Sequence, residues 1–115
     1  MSNKTLGELG EEFALQYLKR CGYRIIERNF RCRCGEIDFI AREGKALVFI
    51  EVKTRRSLRF GTPEEAVTPA KQKKLRTVAS YYLQRFSCDP LCRFDVLALT
   101  VTGRTIRPNL IKNAF

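Results

Sequence analysis

The sequence has no histidine, no tryptophan and no long apolar run, and only 12 of its 115 residues are acidic. Its longest purely apolar stretch extends from Ala46 to Ile50. A stretch of this length cannot cross a bilayer, since a transmembrane helix needs about 20 apolar residues. The first residues, Met1 to Thr5, lack the apolar segment of a secretory signal. These absences predict a soluble, unexported protein of the cytoplasm that does not associate with membranes.

The cysteines are the residues best suited to bind a soft metal, and there are five of them: Cys21, Cys32, Cys34, Cys88 and Cys92. An odd number without a secretory signal favours reduced thiols in the cytoplasm. The pairs Cys32/Cys34 and Cys88/Cys92 could together supply a four-thiolate zinc site. The one-residue gap in the first pair is tighter than the usual zinc spacing, and no histidine can contribute. Free cysteines that serve as small buried hydrophobic side chains are therefore the favoured interpretation.

Positive charge dominates the composition, because 22 lysines and arginines outnumber 12 acids and give a net charge of +10. Such a field attracts polyanions, although it also keeps a protein soluble whatever it binds. The basic residues concentrate between Lys53 and Arg85, where only Glu64 and Glu65 oppose them. This clustering makes nucleic acid the expected partner.

Hydrophobic periodicity predicts an α/β (α+β) fold in which residues 1–115 form a single domain with the order α-β-β-β-α-β-β. Helices are expected at 6–21 and 69–86, and strands at 23–30, 36–42, 46–54, 93–101 and 105–111. These elements should form a mixed central β-sheet flanked by helices. Between the third strand and the second helix, residues 55–68 are polar and contain glycine and proline, which predicts a mobile basic loop.

Charged residues interrupt two of the apolar strands. Glu51 and Lys53 project from the same face of the third strand, about 7 Å apart, and Asp38 lies within the second strand. A lone buried charge costs several kcal/mol, so these side chains must pair at a strand end, reach water or hold a metal ion. If Phe39 pairs with Ile50, Asp38 lies opposite Glu51. A shift of one place would put the two acids on opposite faces, and the apolar pattern does not choose between these registers.

Two carboxylates about 5 Å apart repel unless a proton or a cation lies between them. Mg²⁺ and Mn²⁺ prefer such oxygen ligands. Lys53, on the same face, can then orient or deprotonate a water molecule, or stabilise charge on a phosphate. This interpretation predicts hydrolysis of phosphodiester bonds. The alternative is a set of structural salt bridges between Lys53 and one of the two acids.

Asp38 and the run Glu51-Val52-Lys53 resemble the Asp…(Asp/Glu)-x-Lys signature of the PD-(D/E)xK nucleases, which share a restriction-endonuclease-like fold. A wider set of segments is similar to the bacterial YraN family of predicted endonucleases over nearly the whole chain: residues 10–23, 29–31, 35–40, 48–55, 60–61 and 93–96. The resemblance implies a restriction-endonuclease-like core and metal-dependent cleavage of DNA, including branched or otherwise structured DNA.

Similarity to the archaeal Holliday-junction resolvases extends these expectations. It implies that Glu11 on the first helix joins Asp38, Glu51 and the Val52 main-chain carbonyl in the metal site, while Lys53 acts on the water. Ile37 replaces the proline of the signature, and this residue is not a ligand. Because the resolvases cut two strands as dimers, the resemblance also allows a homodimer.

Nucleic-acid contacts are expected from the polar residues that follow Glu51. Related nucleases carry a lysine or glutamine on the helix after the Glu-x-Lys strand. The complete set of expected contacts is Arg55, Arg56, Arg59, Lys71, Gln72, Lys73 and Lys74. Two alternatives stay open: a non-catalytic nucleic-acid-binding module or partner protein on the same fold, and a ribonuclease. The sequence has neither a base-stacking aromatic platform nor a contact pattern for the 2′-hydroxyl.

Overall fold

The structure is a computed structural model that describes residues 5–56 and 67–115. Within these ranges the chain forms five strands and two helices in the predicted order α-β-β-β-α-β-β. The elements are α1 (Leu6–Arg20), β1 (Arg24–Cys32), β2 (Gly35–Glu43), β3 (Ala46–Arg55), α2 (Pro69–Leu83), β4 (Cys92–Thr102) and β5 (Thr105–Ile111). The predicted elements are confirmed, with boundaries shifted by at most a few residues.

Both helices begin at a threonine that caps them. The side chain of Thr5 accepts a hydrogen bond from the Glu8 N–H at the start of α1, and the side chain of Thr68 does the same for the Lys71 N–H at the start of α2. Gly22, at φ +94°, follows α1 in a left-handed conformation that suits glycine at a helix end. Neither helix is long and apolar enough to cross a membrane in the described part of the chain.

The strands form one mixed sheet in the order β1-β2-β3-β4-β5. The β3–β4 pair, connected through α2, is parallel, and the other pairs are antiparallel. Phe39 pairs with Ile50, which is the register that places Asp38 level with Glu51. This register is set by a two-residue turn, Gly44-Lys45, between the paired residues Glu43 and Ala46.

Each face of the sheet carries one helix and one apolar core. On one face, α1 packs against residues such as Phe39, Val48 and Ile50. On the other face, α2 packs against residues such as Ile40 and Phe49. Coverage of both faces explains why β3 begins with an uninterrupted apolar run.

A fully buried carboxylate, Asp95, lies on the α1 side of the sheet. It accepts hydrogen bonds from the Tyr23 hydroxyl (2.7 Å), from Nε and Nη2 of Arg93 (both 2.8 Å) and from the Asn113 N–H (2.9 Å). Burial, together with the bond to Asp95, raises the pKa of Tyr23, so Tyr23 remains a donor. With its oxygens satisfied in this way, Asp95 is a structural group.

All five cysteines are free. Cys32, Cys34 and Cys92 are partly buried and pack against the apolar core on the α2 side, whereas Cys21 and Cys88 are exposed.

Candidate functional site

Strands β2 and β3 separate at the level of the acidic residues, and we call this separation the fork. Their ladder ends at the pair Phe39 and Ile50, while β2 remains paired with β1, and β3 with β4. The Val52 N–H therefore has no ladder partner on β2, and it donates instead to Oδ2 of Asp38 at 2.8 Å. The fork thus brings the Asp38 carboxylate onto the main chain next to Glu51.

The alternation of faces along β2 breaks at Asp38. Phe39 packs on the α1 side of the sheet, but Ile37, two residues earlier, packs on the α2 side, whereas regular pleating would put both on one face. In β1, Asn29 has φ +52°. It lies level with Asp38 on β2, because Arg28 pairs with Phe39 and Phe30 pairs with Ile37. The irregularity therefore involves both strands at the site.

A pocket of about 700 Å³ opens on the α2 side of the fork. Asp38, Glu51 and Lys53 line it from the strands, and Lys71 and Lys74 line it from α2. The structure thus brings together three of the four residues predicted to be catalytic, although they come from two strands. It adds two lysines that were expected to contact nucleic acid.

The two acids behave as a pair. Glu51 is only 7% exposed, and its side chain is hydrogen-bonded to that of Asp38. Burial, this hydrogen bond and the negative charge of Glu51 raise the pKa of Asp38 to about 7, and the Val52 N–H opposes the rise. The pair consequently holds a proton up to about neutral pH.

The two lysines closest to the acids differ in their charge state. Lys71 forms the ion pair with Glu51. Burial lowers the pKa of Lys71, but the hydrogen bond and negative charge of Glu51 outweigh burial, and the net pKa is raised. Burial and then the nearby Lys71 ammonium lower the pKa of Lys53. Lys71 is thus held as a cation, while Lys53 is the lysine that loses its proton more easily. The salt-bridge interpretation had paired Lys53 with an acid, and the structure shows Lys71 in that ion pair.

The donor set of the fork suits a partly hydrated divalent cation. Asp38 and Glu51 supply carboxylate oxygens, and the Val52 carbonyl projects to the same side of β3 as the N–H that Asp38 binds. A cation between the two acids would relieve their repulsion, as a shared proton does. No group of three or more His, Cys, Asp or Glu side chains could hold a metal ion among the residues described here. A cation held by these two acids would keep several water ligands, as Mg²⁺ does.

Glu11, the fourth predicted catalytic residue, is not among the residues that line the pocket. Its Oε1 accepts a hydrogen bond from Nδ2 of Asn29 at 2.6 Å and lies 3.8 Å from Nη2 of Arg28. The metal-binding role of Glu11 stays a prediction. Asn29 was not predicted as a site residue, although an asparagine inside a strand is unusual enough to have signalled a special position.

The predicted nucleic-acid contacts lie in different surroundings. Lys73 is exposed and forms a second, shallow depression with Lys71 and Lys74. Gln72 uses its side-chain amide locally, donating to the Val67 carbonyl at 3.0 Å.

Arg56 is exposed at the end of β3, and Arg55 is half-buried. In Arg55, Nε and Nη2 are buried without a hydrogen-bond partner among the described residues. Arg59, the Phe60-Gly61 pair and most of the predicted mobile loop lie outside the described residues.

Fold and site together define an α/β protein whose mixed sheet opens at one fork, where two acids and two lysines meet. Residues 10–99 match the uncharacterised protein family UPF0102, and the chain belongs to this family. The UPF0102 protein of Caldicellulosiruptor saccharolyticus is 51% identical over 118 residues, which cover all of both chains. That of Symbiobacterium thermophilum is 53% identical over 116 residues, covering 98% of each chain. That of Geobacter sulfurreducens is 51% identical over 115 residues, covering 98% of this chain and 90% of the relative.

Proposed function

We propose that this protein is a metal-dependent endonuclease of the PD-(D/E)xK class that hydrolyses phosphodiester bonds in DNA, with branched or otherwise structured DNA as the preferred substrate. The observation that supports it most is the convergence of Asp38, Glu51 and Lys53 on one basic pocket. A buried acid with a pKa raised to about 7 is unfavourable for folding, and such groups are typical of functional sites.

In the proposed mechanism, Asp38, Glu51 and the Val52 carbonyl would hold the cation. Bound Mg²⁺ stabilises charge on the phosphate and lowers the pKa of a coordinated water. Burial and the neighbouring Lys71 lower the pKa of Lys53. In its neutral form, Lys53 would accept a proton at Nζ from the attacking water. The burial of Glu51 restricts bulk water around the acids and strengthens their electrostatic interactions.

The cationic wall of the pocket would bind the substrate. Lys71 and Lys74 line the pocket from α2, and Arg31 lines it from β1. These side chains, within a chain of net charge +10, would hold the phosphates that flank the scissile bond. Binding should therefore weaken with salt, by about one unit of log-log slope for each phosphate contact.

The second candidate function is a non-catalytic nucleic-acid-binding module. The ion pair of Glu51 with Lys71 favours it, because a carboxylate neutralised by a lysine needs no metal. In that case the acids stabilise the fork and only the basic surface is functional. Cleavage, and its dependence on Mg²⁺, distinguishes the two candidates.

The test compares wild-type protein with Asp38→Asn and with a matched control, Asp89→Asn, which alters an exposed acid in the loop before β4. Each protein is incubated with labelled four-way junction, linear duplex, single-stranded DNA and RNA, in Mg²⁺ and in EDTA. We expect wild type and Asp89→Asn to cleave DNA in the presence of Mg²⁺, fastest on the junction. We expect no cleavage by Asp38→Asn. Binding of DNA without cleavage of any substrate would favour the binding module, and preferential cleavage of RNA would identify a ribonuclease.

A further inference from the structure

Three side chains from β1 and α2 form an exposed surface of aromatic and cationic groups on the α2 side of the sheet. Tyr81 is 50% exposed, and every other aromatic side chain in the described part of the chain is more buried. The centre of its ring lies 6.3 Å from that of Phe30. The Arg85 guanidinium lies 5.6 Å from the centre of the Phe30 ring. We call Phe30, Tyr81 and Arg85 the shelf.

The apolar core holds the shelf in place. Phe30 packs edge-on against Tyr82, with ring centres 5.2 Å apart, and Tyr82 packs in the same way against Phe49 at 6.0 Å. Tyr82 and Phe49 are only 3% and 2% exposed. Arg85 lies over the Tyr82 ring at 3.9 Å and is nevertheless exposed. These contacts order Phe30 and Arg85 before any ligand binds, which lowers the entropy cost of binding.

Helix α2 and the residues after it carry positive charge only. Between Glu65 and Asp89 the sequence has no acidic residue and five cations: Lys71, Lys73, Lys74, Arg76 and Arg85. Within the described part of the chain, only Lys71 among these cations forms an ion pair with an acid. A helix surface without acids repels itself and attracts polyanions. The surface that carries the shelf therefore matches a ligand that is both anionic and aromatic.

The shelf lies further along α2 than the pocket. Lys74 lines the pocket, and Tyr81 comes seven positions later in the same helix. Two turns of helix separate these residues, so they lie on the same side of α2, about 10 Å apart along its axis. A stacked nucleic-acid strand advances about 3.4 Å per nucleotide. A strand with one phosphodiester in the pocket would therefore reach the shelf about three nucleotides away.

We propose that the shelf binds an unpaired nucleobase of the substrate by stacking, about three nucleotides from the phosphodiester in the pocket. This inference rests on the proposed function, because it takes the polyanion to be DNA and the pocket to be the site of cleavage. An unpaired base stacks on aromatic rings and on guanidinium planes, whereas a base inside a duplex is already stacked on its neighbours. The substrate class is therefore DNA with single-stranded nucleotides beside the cleaved bond, such as a flap or an open branch point.

The test measures binding in EDTA, so that cleavage does not interfere. The probes are a labelled oligothymidylate of about 12 nucleotides, a strand of the same length with abasic sites at its centre, and a blunt duplex. Tyr81→Ala removes the exposed ring, and Tyr81→Phe keeps it. Arg85→Lys keeps the charge without the planar guanidinium. Lys73→Ala, at an exposed cation of α2 outside the shelf, is the matched control, and circular dichroism verifies the fold of each variant.

We expect wild type to bind oligothymidylate about tenfold more tightly than the abasic strand, and Tyr81→Ala to lose this preference. Tyr81→Ala should bind the abasic strand and the duplex within about twofold of wild type. Tyr81→Phe should retain the preference, and Arg85→Lys should reduce it severalfold. Lys73→Ala should weaken binding of all three probes by similar factors, because a phosphate contact does not depend on the base.

Three results would overturn the inference: no preference of wild type for oligothymidylate over the abasic strand, equal losses by Tyr81→Ala on all three probes, and loss of the preference in Tyr81→Phe. None of them involves the acid pair, so Mg²⁺-dependent cleavage by wild type would leave the proposed nuclease standing. A base preference that depends on Tyr81, in a protein that cleaves no DNA in Mg²⁺, would support stacking at the shelf and overturn the nuclease.

Discussion

Replacing Asp38 by asparagine should stabilise the metal-free protein above neutral pH. Burial and the neighbouring Glu51 raise the pKa of Asp38 from 3.8 to about 7. The folded state therefore binds the Asp38 proton more tightly than the unfolded state does. This contribution to stability is fully present below about pH 4 and is lost as the pH rises through about 7. The asparagine of the variant has no proton to lose, and its amide can still accept from the Val52 N–H and donate to Glu51.

The size of this stabilisation follows from the raised pKa of Asp38. One pKa unit corresponds to about 1.4 kcal/mol, so a shift of roughly three units corresponds to at most about 4 kcal/mol at pH 9. The Glu51 carboxylate shares the proton and can adapt to its loss. We therefore expect the free energy of unfolding of Asp38→Asn to exceed that of wild type by about 2–4 kcal/mol at pH 9. At pH 4 the two proteins should have nearly equal free energies of unfolding.

The assay is urea unfolding followed by circular dichroism in EDTA, at intervals from pH 4 to pH 9. Asp89→Asn serves as the control and should follow wild type throughout. With Mg²⁺ at about ten times its dissociation constant, wild type should gain about 1.4 kcal/mol and Asp38→Asn should gain nothing. If Asp38→Asn were less stable than wild type by the same amount at every pH, the reasoning about the shared proton would be refuted.

Two further variants test neighbouring contacts. Lys71→Met removes the ammonium that pairs with Glu51, so Mn²⁺ affinity in calorimetry should rise severalfold, whereas Lys73→Met, at an exposed neighbour, should leave it unchanged. A weaker affinity in Lys71→Met would show that Lys71 does not compete for the acid. Gly10→Ala should cost about 1–3 kcal/mol in urea unfolding, because its Cβ would overlap Thr54. Adding Thr54→Ala should restore part of that loss, and identical losses with and without Thr54→Ala would contradict this explanation.

The elements and the pairing of β2 with β3 could be predicted because apolar periodicity and short turns are local properties of the sequence. The Gly44-Lys45 turn and the apolar residues around Asp38 and Glu51 are such local signals. The period-two pattern left more than one register open, and the structure selected the one in which Phe39 pairs with Ile50.

The fork could not be predicted, because it depends on how strands pair over long distances. Nothing local indicates that the Val52 N–H bonds to the Asp38 side chain instead of a main-chain carbonyl. The ion pair of Lys71 with Glu51 likewise depends on where α2 begins and how it crosses the sheet. An asparagine inside β1 is a local signal, but its left-handed backbone level with Asp38 depends on how β1 and β2 pair.

The most direct test of the account is the single-turnover cleavage rate of a labelled four-way DNA junction by Lys53→Ala in Mg²⁺, measured alongside its affinity for the junction in EDTA. Lys53 lines the pocket beside the acid pair, and a proton-transfer group typically contributes about 10²–10⁴-fold to a rate. We predict a loss of that size with junction affinity within about threefold of wild type, since one phosphate contact contributes only a small part of binding. Cleavage at the wild-type rate by Lys53→Ala would contradict the proposed site.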